Sequence, residues 1–335
     1  MKRTFSILAL SVLLAASVAA QDLKAFETNF NTFAGEMAPV LSYNATTGDI
    51  WSTAYIGNLP HFGAGLTFGF FLIPADALKP FFTAMGIELP AELNNGLPFP
   101  AMAVTAKLGG IILPFDLGVK GMVMFPELST LVSSTGITAD YTMLGATLRI
   151  PLLKENILLP AIAIGASYDY LSGSIKMPLK DMPTASYTFQ EPNSGPTHTI
   201  SVTDPTMALD FQTTSFDFTA QVSKKILFIT PYVGAGISLG TSSVKGGLDA
   251  RLQYDGSDIT AANLQTIKDT LAEAGINVPD ISAEGFRFGS AFSDPVIRLY
   301  GGLSFDLLFI YADVMGIYIP ANGNLGANVS IRVQF

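Results

Sequence analysis

The chain has 335 residues and no cysteine; 49% of it is hydrophobic, only 13% is charged, and its formal charge is −9. The missing cysteines exclude a disulfide scaffold, thiolate metal sites and cysteine nucleophiles, and the acidic balance speaks against nucleic acid as a partner. Beyond residue 20 no apolar run is long enough to cross a bilayer as a helix. So apolar a chain then has two outlets: a soluble all-β protein with a large core, or a closed barrel whose apolar face meets lipid.

Residues 1–20 have the layout of a secretory signal peptide, with Lys2 and Arg3 at the start, the apolar run Phe5–Leu14, and Val18-Ala19-Ala20 as small residues before a cut at Gln21. In the next segment, 21–57, Leu23, Phe26, Phe30, Phe33 and Met37 recur at three- and four-residue steps, which predicts an amphipathic helix over 22–38 that Pro39 ends. Such a helix lies on a membrane surface, packs on a barrel mouth or plugs a lumen. Packing within or under the barrel is the favoured expectation, and an additional strand at 51–57 is the plainer alternative.

From 58 to 335 the sequence alternates. Strands are predicted near 62–72, 101–113, 115–125, 139–150, 157–171, 208–223, 228–243, 295–306, 308–318 and 324–335; the ninth, apolar on both faces, is the least distinct. The last is the clearest, with Leu325, Ala327, Val329, Ile331, Val333 and Phe335 facing one way and Asn324, Gly326, Asn328, Ser330, Arg332 and Gln334 the other. Across the set, Lys107, Asp116, Lys120, Arg149, Asp169, Asp217, Arg298, Asp306 and Arg332 all fall opposite the apolar series. A basic residue facing lipid at mid-depth costs about 2–4 kcal/mol and costs little in a wet lumen. The fold expected is therefore an all-β, transmembrane, antiparallel up-and-down barrel of about ten strands, within a range of about 8–14. Lys107 and Lys120 on hairpin partners form a basic lumen patch, or else join Asp116 and Asp217 in a salt-bridge network that fills a narrow interior. Filling is the expected role.

The connections alternate too. Those around Pro114, Pro151–Asn156, Lys224–Leu227 and Asp306–Leu308 are short, whereas 74–99, 126–138, 172–206 and 244–293 are long. Short turns belong to the periplasmic rim and long loops to the outside. Helices are expected in three long loops, at Ala75–Met85, Pro126–Thr135 and Asp258–Ala274, each followed by Gly-Ile as a cap. Residues 172–206 have no pattern and are expected to form the least ordered loop. The alternation of Val244–Tyr254, with Phe286 and Phe288 flanking Arg287, predicts a hairpin protruding beyond the bilayer, with a bulge at Gly246-Gly247.

The alternating final strand and its terminal Phe335, behind a signal peptide, resemble bacterial outer-membrane β-barrels. That resemblance implies a location in the outer membrane of a diderm after signal cleavage, lipid as surroundings, and a C-terminal strand read by the barrel-assembly machinery. The general look also resembles barrels of spirochaetes. The lead helix is similar in outline to the N-terminal plug of fatty-acid channel barrels, although no plug motif matches residue by residue.

Chemistry is sparse. The two histidines, His61 and His198, lie far apart in sequence, with no Asp-His dyad, H-x-S motif, calcium loop or phosphate loop readable near them. No enzyme activity, metal or cofactor is expected. The function expected is a small channel or transport barrel for small or hydrophobic solutes, gated by the N-terminal segment. The alternative is a non-transporting surface binding or structural barrel that acts through its external loops.

Overall fold

The computed structural model describes residues 19–53, 56, 61–84, 94–109, 115–123, 138–178, 185–190, 195–273, 281–282 and 285–335. Fourteen strands occur among them in chain order: β1 (Phe62–Ile73), β2 (Leu97–Gly109), β3 (Asp116–Val123), β4 (Thr138–Leu153), β5 (Ala161–Pro178), β6 (Ala185–Gln190), β7 (Thr197–Ser223), β8 (Ile229–Tyr254), β9 (Ser257–Asp258), β10 (Ile281–Ser282), β11 (Gly285–Phe292), β12 (Val296–Leu307), β13 (Ile310–Ile319) and β14 (Asn324–Gln334). The helices are α1 (Ala19–Ala45), α2 (Ala75–Ala84) and α3 (Leu264–Glu273).

Ten strands, β1–β5, β7, β8 and β12–β14, follow one another antiparallel, and β14 returns to β1, with Gly63 opposite Gln334 and Phe71 opposite Gly326. The sheet is thus a closed barrel without a free edge, which is what lipid demands of a sheet that spans it. The period-two pattern sets the two faces. Phe68, Val104, Val119, Leu144, Val233, Leu299 and Val329 are exposed on the outside, while Thr67, Thr105, Lys120, Asp217 and Ser304 are buried inside. The indistinct ninth strand alternates exposed and buried at every position of β13. An apolar belt around a polar interior is the pattern of an outer-membrane-type barrel.

Several expectations are corrected beyond the belt. Where the structure describes 172–206, it is largely strand: β5 runs to Pro178, and β6 and the start of β7 pair with each other from Ala185–Val202 to Gln190–Thr197. Beyond the apolar belt a strand has no apolar face to mark it, so its Ser/Thr-rich sequence gave no period. The protruding hairpin exists, β11 pairing with β8 from Gly285–Asp249 to Phe292–Ser242. Its register passes through Gly246 and Gly247 unbroken, and the irregularity sits instead on β7 between Thr203 and Thr206. α2 matches its expected span. α3 starts later than Asp258 because Ser257 and Asp258 pair back onto Tyr254 and Gln253, and Thr260 and Asn263 make the entry, with Leu264 N donating to Thr260 O at 2.9 Å. The expected signal peptide up to residue 18, the Pro114 turn and the helix at 126–135 lie outside the described residues.

Pro39 does not end the first helix. α1 continues through it to Ala45. Proline removes one helical hydrogen bond and strains the turn before it, but here Ala38, Val40, Leu41, Tyr43 and Ala45 are all buried, and packing on every side outweighs the local cost. Beyond the helix, Gly48 has φ +88°, and a Cβ there would lie 2.6 Å from Thr105 Cγ2, so only glycine makes this reversal against β2.

Candidate functional site: the occupied lumen

The ring encloses residues 30–53 and Ile56. α1 packs on β8, β11, β7, β1, β5, β2 and β4, which surround it. The lumen has two chemistries. Toward the long loops Phe30, Phe33, Met37, Val40 and Leu41 join Phe71, Phe99, Met143, Leu171, Phe211 and Val244 in one apolar core. Toward the short turns the wall is charged. The side chains of Leu23 and Phe26, expected on the same helix face, lie outside what is described, whereas Phe30, Phe33 and Met37 are buried on it.

The wall holds the segment after α1 mainly by its backbone. Lys120 Nζ donates to Ala45 O at 2.5 Å and to Asp49 Oδ2 at 2.7 Å, and pairs with Asp169 Oδ1 at 2.7 Å. Lys107 donates to Asp49 O. Arg149 donates to Trp51 O at 3.1 Å and to Thr53 O, while its other nitrogens pair with Asp116. Gln221 Nε2 reaches Trp51 O and Ser52 O, both at 3.0 Å. Arg332 pairs with Asp313 and donates to Ser52 Oγ at 2.5 Å. Two cations approach the ring of Trp51, Lys107 Nζ at 4.9 Å and Arg332 Cζ at 5.1 Å from its centroid. Higher in the barrel, Arg298 is bidentate to Asp217 at 2.7 Å and stacks over Tyr43 of α1 at 5.0 Å. Ser42 and Ser242 meet at 3.2 Å.

Register explains the reach. Gly145 lies between Lys120 and Asp169 in the ladder, and a Cβ on it would lie 2.5 Å from both Lys120 Cε and Asp169 Oδ1. The lumen-face residues singled out from sequence are all buried here, but not in the pairs expected. Lys107 and Lys120 converge on Asp49, while Asp116 and Asp217 are taken by Arg149 and Arg298. Asp306 stays at the short-turn rim with Thr230, Ser304 and Lys225, at 2.8, 2.8 and 3.2 Å. Phe335 stacks on Phe309 at 5.6 Å and donates its amide to Phe62 O. Sequence reasoning missed Asp49 and Asp313, whereas Gln221 falls on the inward face that the alternation of 215–222 predicts.

Of the histidines, His61 Nδ1 lies 3.3 Å from Ile56 O. His198 does meet an aspartate in space: its Nδ1 is 2.7 Å from Asp255 Oδ2, and its ring stacks on Tyr254 at 5.0 Å. The Thr199 amide donates to the other carboxylate oxygen at 2.7 Å. The hydrogen bonds from His198 and Thr199 hold the Asp255 carboxyl below the ordinary carboxylate range. The pair ties the far end of the β7–β8 hairpin. Among the described residues no cluster of three metal-ligating side chains occurs.

No family model and no curated protein matches the chain. Among solved structures it is similar to the outer-membrane protease OmpT from Escherichia coli (10% identity, 82% of this chain and 96% of that one, TM-score 0.38). It is also similar to the translocator domain of the autotransporter NalP from Neisseria meningitidis (7%, 82% and 87%, 0.27) and to the CymD monoaromatic hydrocarbon channel (10%, 88% and 97%, 0.26). These are likenesses of plan and assign no activity, and the resemblance to spirochaete barrels finds no support among them.

Proposed function

We propose that the protein is a small transport barrel for small or hydrophobic solutes, closed at rest by residues 30–53 and opened when that segment shifts. The observation that carries the reading is the form of the seat. The wall grips Ala45, Asp49, Trp51, Ser52 and Thr53 largely through backbone carbonyls, and these ties separate without unfolding the ring. Above them α1 fills an apolar bore whose lining suits an apolar solute once the helix withdraws. With this reading go export through residues 1–20, a place in the outer membrane of a diderm bacterium, insertion by the assembly machinery through the strand ending at Phe335, and no catalytic step.

The chain has no cysteine, so a Ser42→Cys/Ser242→Cys pair tests the reading directly. Oxidised protein in liposomes is expected to lose solute flux and planar-bilayer conductance, and a reductant to restore them. Flux that ignores the redox state removes the plug's role. No flux in the reduced pair or in the native chain removes the transport reading. A second reading, a surface barrel acting through its loops, rests on the length of β7 and β8, 27 and 26 residues, which carry β6, β9 and β11 beyond the belt. Deleting 244–293 should then abolish binding and spare assembly.

A further inference from the structure

The rim opposite the long loops is built unlike a rim that faces water. Three of its connections are described, and all three have apolar tips. Ile157 is 95% exposed and Leu158 88%, Leu227 is 84% exposed beside Phe228, and Leu308 is 92% exposed beside Phe309. Two of these hairpins repeat one design, Ile226-Leu-Phe-Ile229 and Leu307-Leu-Phe-Ile310. In each the first of two turn residues is leucine at φ 58°. Glycine or asparagine takes that conformation easily, whereas for a bulky side chain it is an outlier. Both turns thus hold a leucine outward in a conformation that disfavours it.

Many polar atoms of the tips are bonded within the protein. Asn156 Oδ1 accepts from the amides of Leu158 and Leu159 at 2.9 and 2.8 Å. Lys224 Nζ donates to the carbonyls of Asn156, Ile157 and Leu159, the last two at 3.2 Å. Ile226 and Ile229 exchange both backbone bonds, Asp306 N donates to Phe228 O at 2.8 Å, and Gln334 N to Phe309 O at 2.9 Å. A turn that meets water can leave such groups to the solvent, but a turn that meets hydrocarbon cannot. On β12 the tip also continues the lipid-facing belt without a polar interval, through Leu303, Phe305 and Leu307 into Leu308, whereas after β7 Lys224 and Lys225 stand between Val222 and the tip at Ile226 and Leu227, Lys224 with its amine turned onto the carbonyls of the neighbouring turn.

From apolar tips, internal capping and continuity with the belt together, we propose that the short-turn rim is sunk into the membrane, with 157–159, 227–228 and 308–309 resting inside the phospholipid leaflet that surrounds it. The occupant is lipid and not a soluble partner, because separate apolar tips of two or three residues, continuous with the belt on β12, suit a fluid apolar medium better than one shaped surface. This inference does not depend on transport.

Nitroxide labels on single cysteines at Leu158, Leu227 and Leu308, in the full chain refolded into vesicles of phosphatidylethanolamine and phosphatidylglycerol, test it by collision with oxygen against a water-soluble nickel chelate. Leu303→Cys supplies the belt reference and Ser257→Cys the aqueous one. The tips are expected to show oxygen-to-nickel ratios at least about tenfold above Ser257→Cys, approaching Leu303→Cys. Ratios equal to Ser257→Cys overturn the proposal and return these tips to the aqueous phase. Leu158 lies outside the positive-φ positions, so it decides the matter if the other two variants fail to assemble, with heat-modifiable gel migration as the check on folding.

Discussion

Lys120 of the barrel wall meets Asp49 of the lumen segment at 2.7 Å, and both side chains are withdrawn from solvent. Asp169 closes the triad from the other side of Lys120, and Ser167 Oγ bonds to both carboxylates at 3.2 and 2.6 Å. One cation therefore compensates two buried acids, and the consequences of removing each member differ.

Lys120→Met is expected to cost about 3–5 kcal/mol, because it strands two carboxylates in a closed interior. Asp49→Asn should cost clearly less, since Lys120 keeps Asp169 and the amide still accepts from Ser167. Urea unfolding followed by gel migration measures both. Equal losses would mean that Asp49 and Asp169 are not held by the same cation.

Trp51 is the only tryptophan, and it is 2% exposed. Its emission should be blue-shifted and nearly unquenched by acrylamide in the resting state. Arg149→Gln together with Gln221→Ala removes the ties to Trp51 O and is expected to raise the quenching constant several-fold while the β-sheet circular dichroism stays unchanged. Unaltered quenching would show that the segment stays seated without these ties.

Gly246 makes room for α1: a Cβ on it would lie 2.6 Å from Phe30 Cε2. Gly246→Ala should destabilise by about 1–3 kcal/mol through overpacking. Phe30→Leu should recover part of that loss in the double variant, a coupling of about 0.5–3 kcal/mol. Simple additivity would place Phe30 away from this strand.

The alternation of apolar and polar residues made the ring legible from the sequence, because an apolar outer face and a polar inner one impose a period of two. It failed where that contrast between the faces is missing. Tyr311, Met315 and Ile317 of β13 face inward but pack in a filled interior, where Tyr311 lies 4.8 Å from Arg332 and Met315 and Ile317 join the apolar core. Both faces then read as apolar, and Asp313 went unnoticed between them. Asp49 sits in a turn and has no period at all. A signal did exist: it is the single Asp, Glu, Lys or Arg between Glu36 and Asp76, and an isolated charge in so apolar a stretch needs a partner from elsewhere in the fold. Pro39 misled for a related reason, since the rule that it ends a helix holds where packing does not decide.

The His198–Asp255 tie gives the long-loop end its own dependence on pH. Because the Asp255 carboxyl is depressed in the folded state, its contribution is fully present above the ordinary carboxylate value of about 3.9 and is lost as pH falls through the lower folded value. An exposed pair of this kind is worth less than about 1 kcal/mol. Protection of the Thr199 amide against hydrogen exchange should drop below about pH 4 and should already be low at neutral pH in Asp255→Asn. A pH-independent protection factor would remove the carboxylate from this role.

The lumen segment precedes every strand of the ring in the chain, and the ring's seam is the pairing of β1 with β14. Its grips on the wall come from both ends of that order: Lys107, Lys120 and Arg149 on β2–β4, and Arg298 and Arg332 on β12 and β14. While the sheet is still an open trough, the early strands can cradle the segment before the late ones arrive and close over it. On that order of events the plug is the mandrel on which the barrel is wound, and a chain that mislays it closes around the wrong interior.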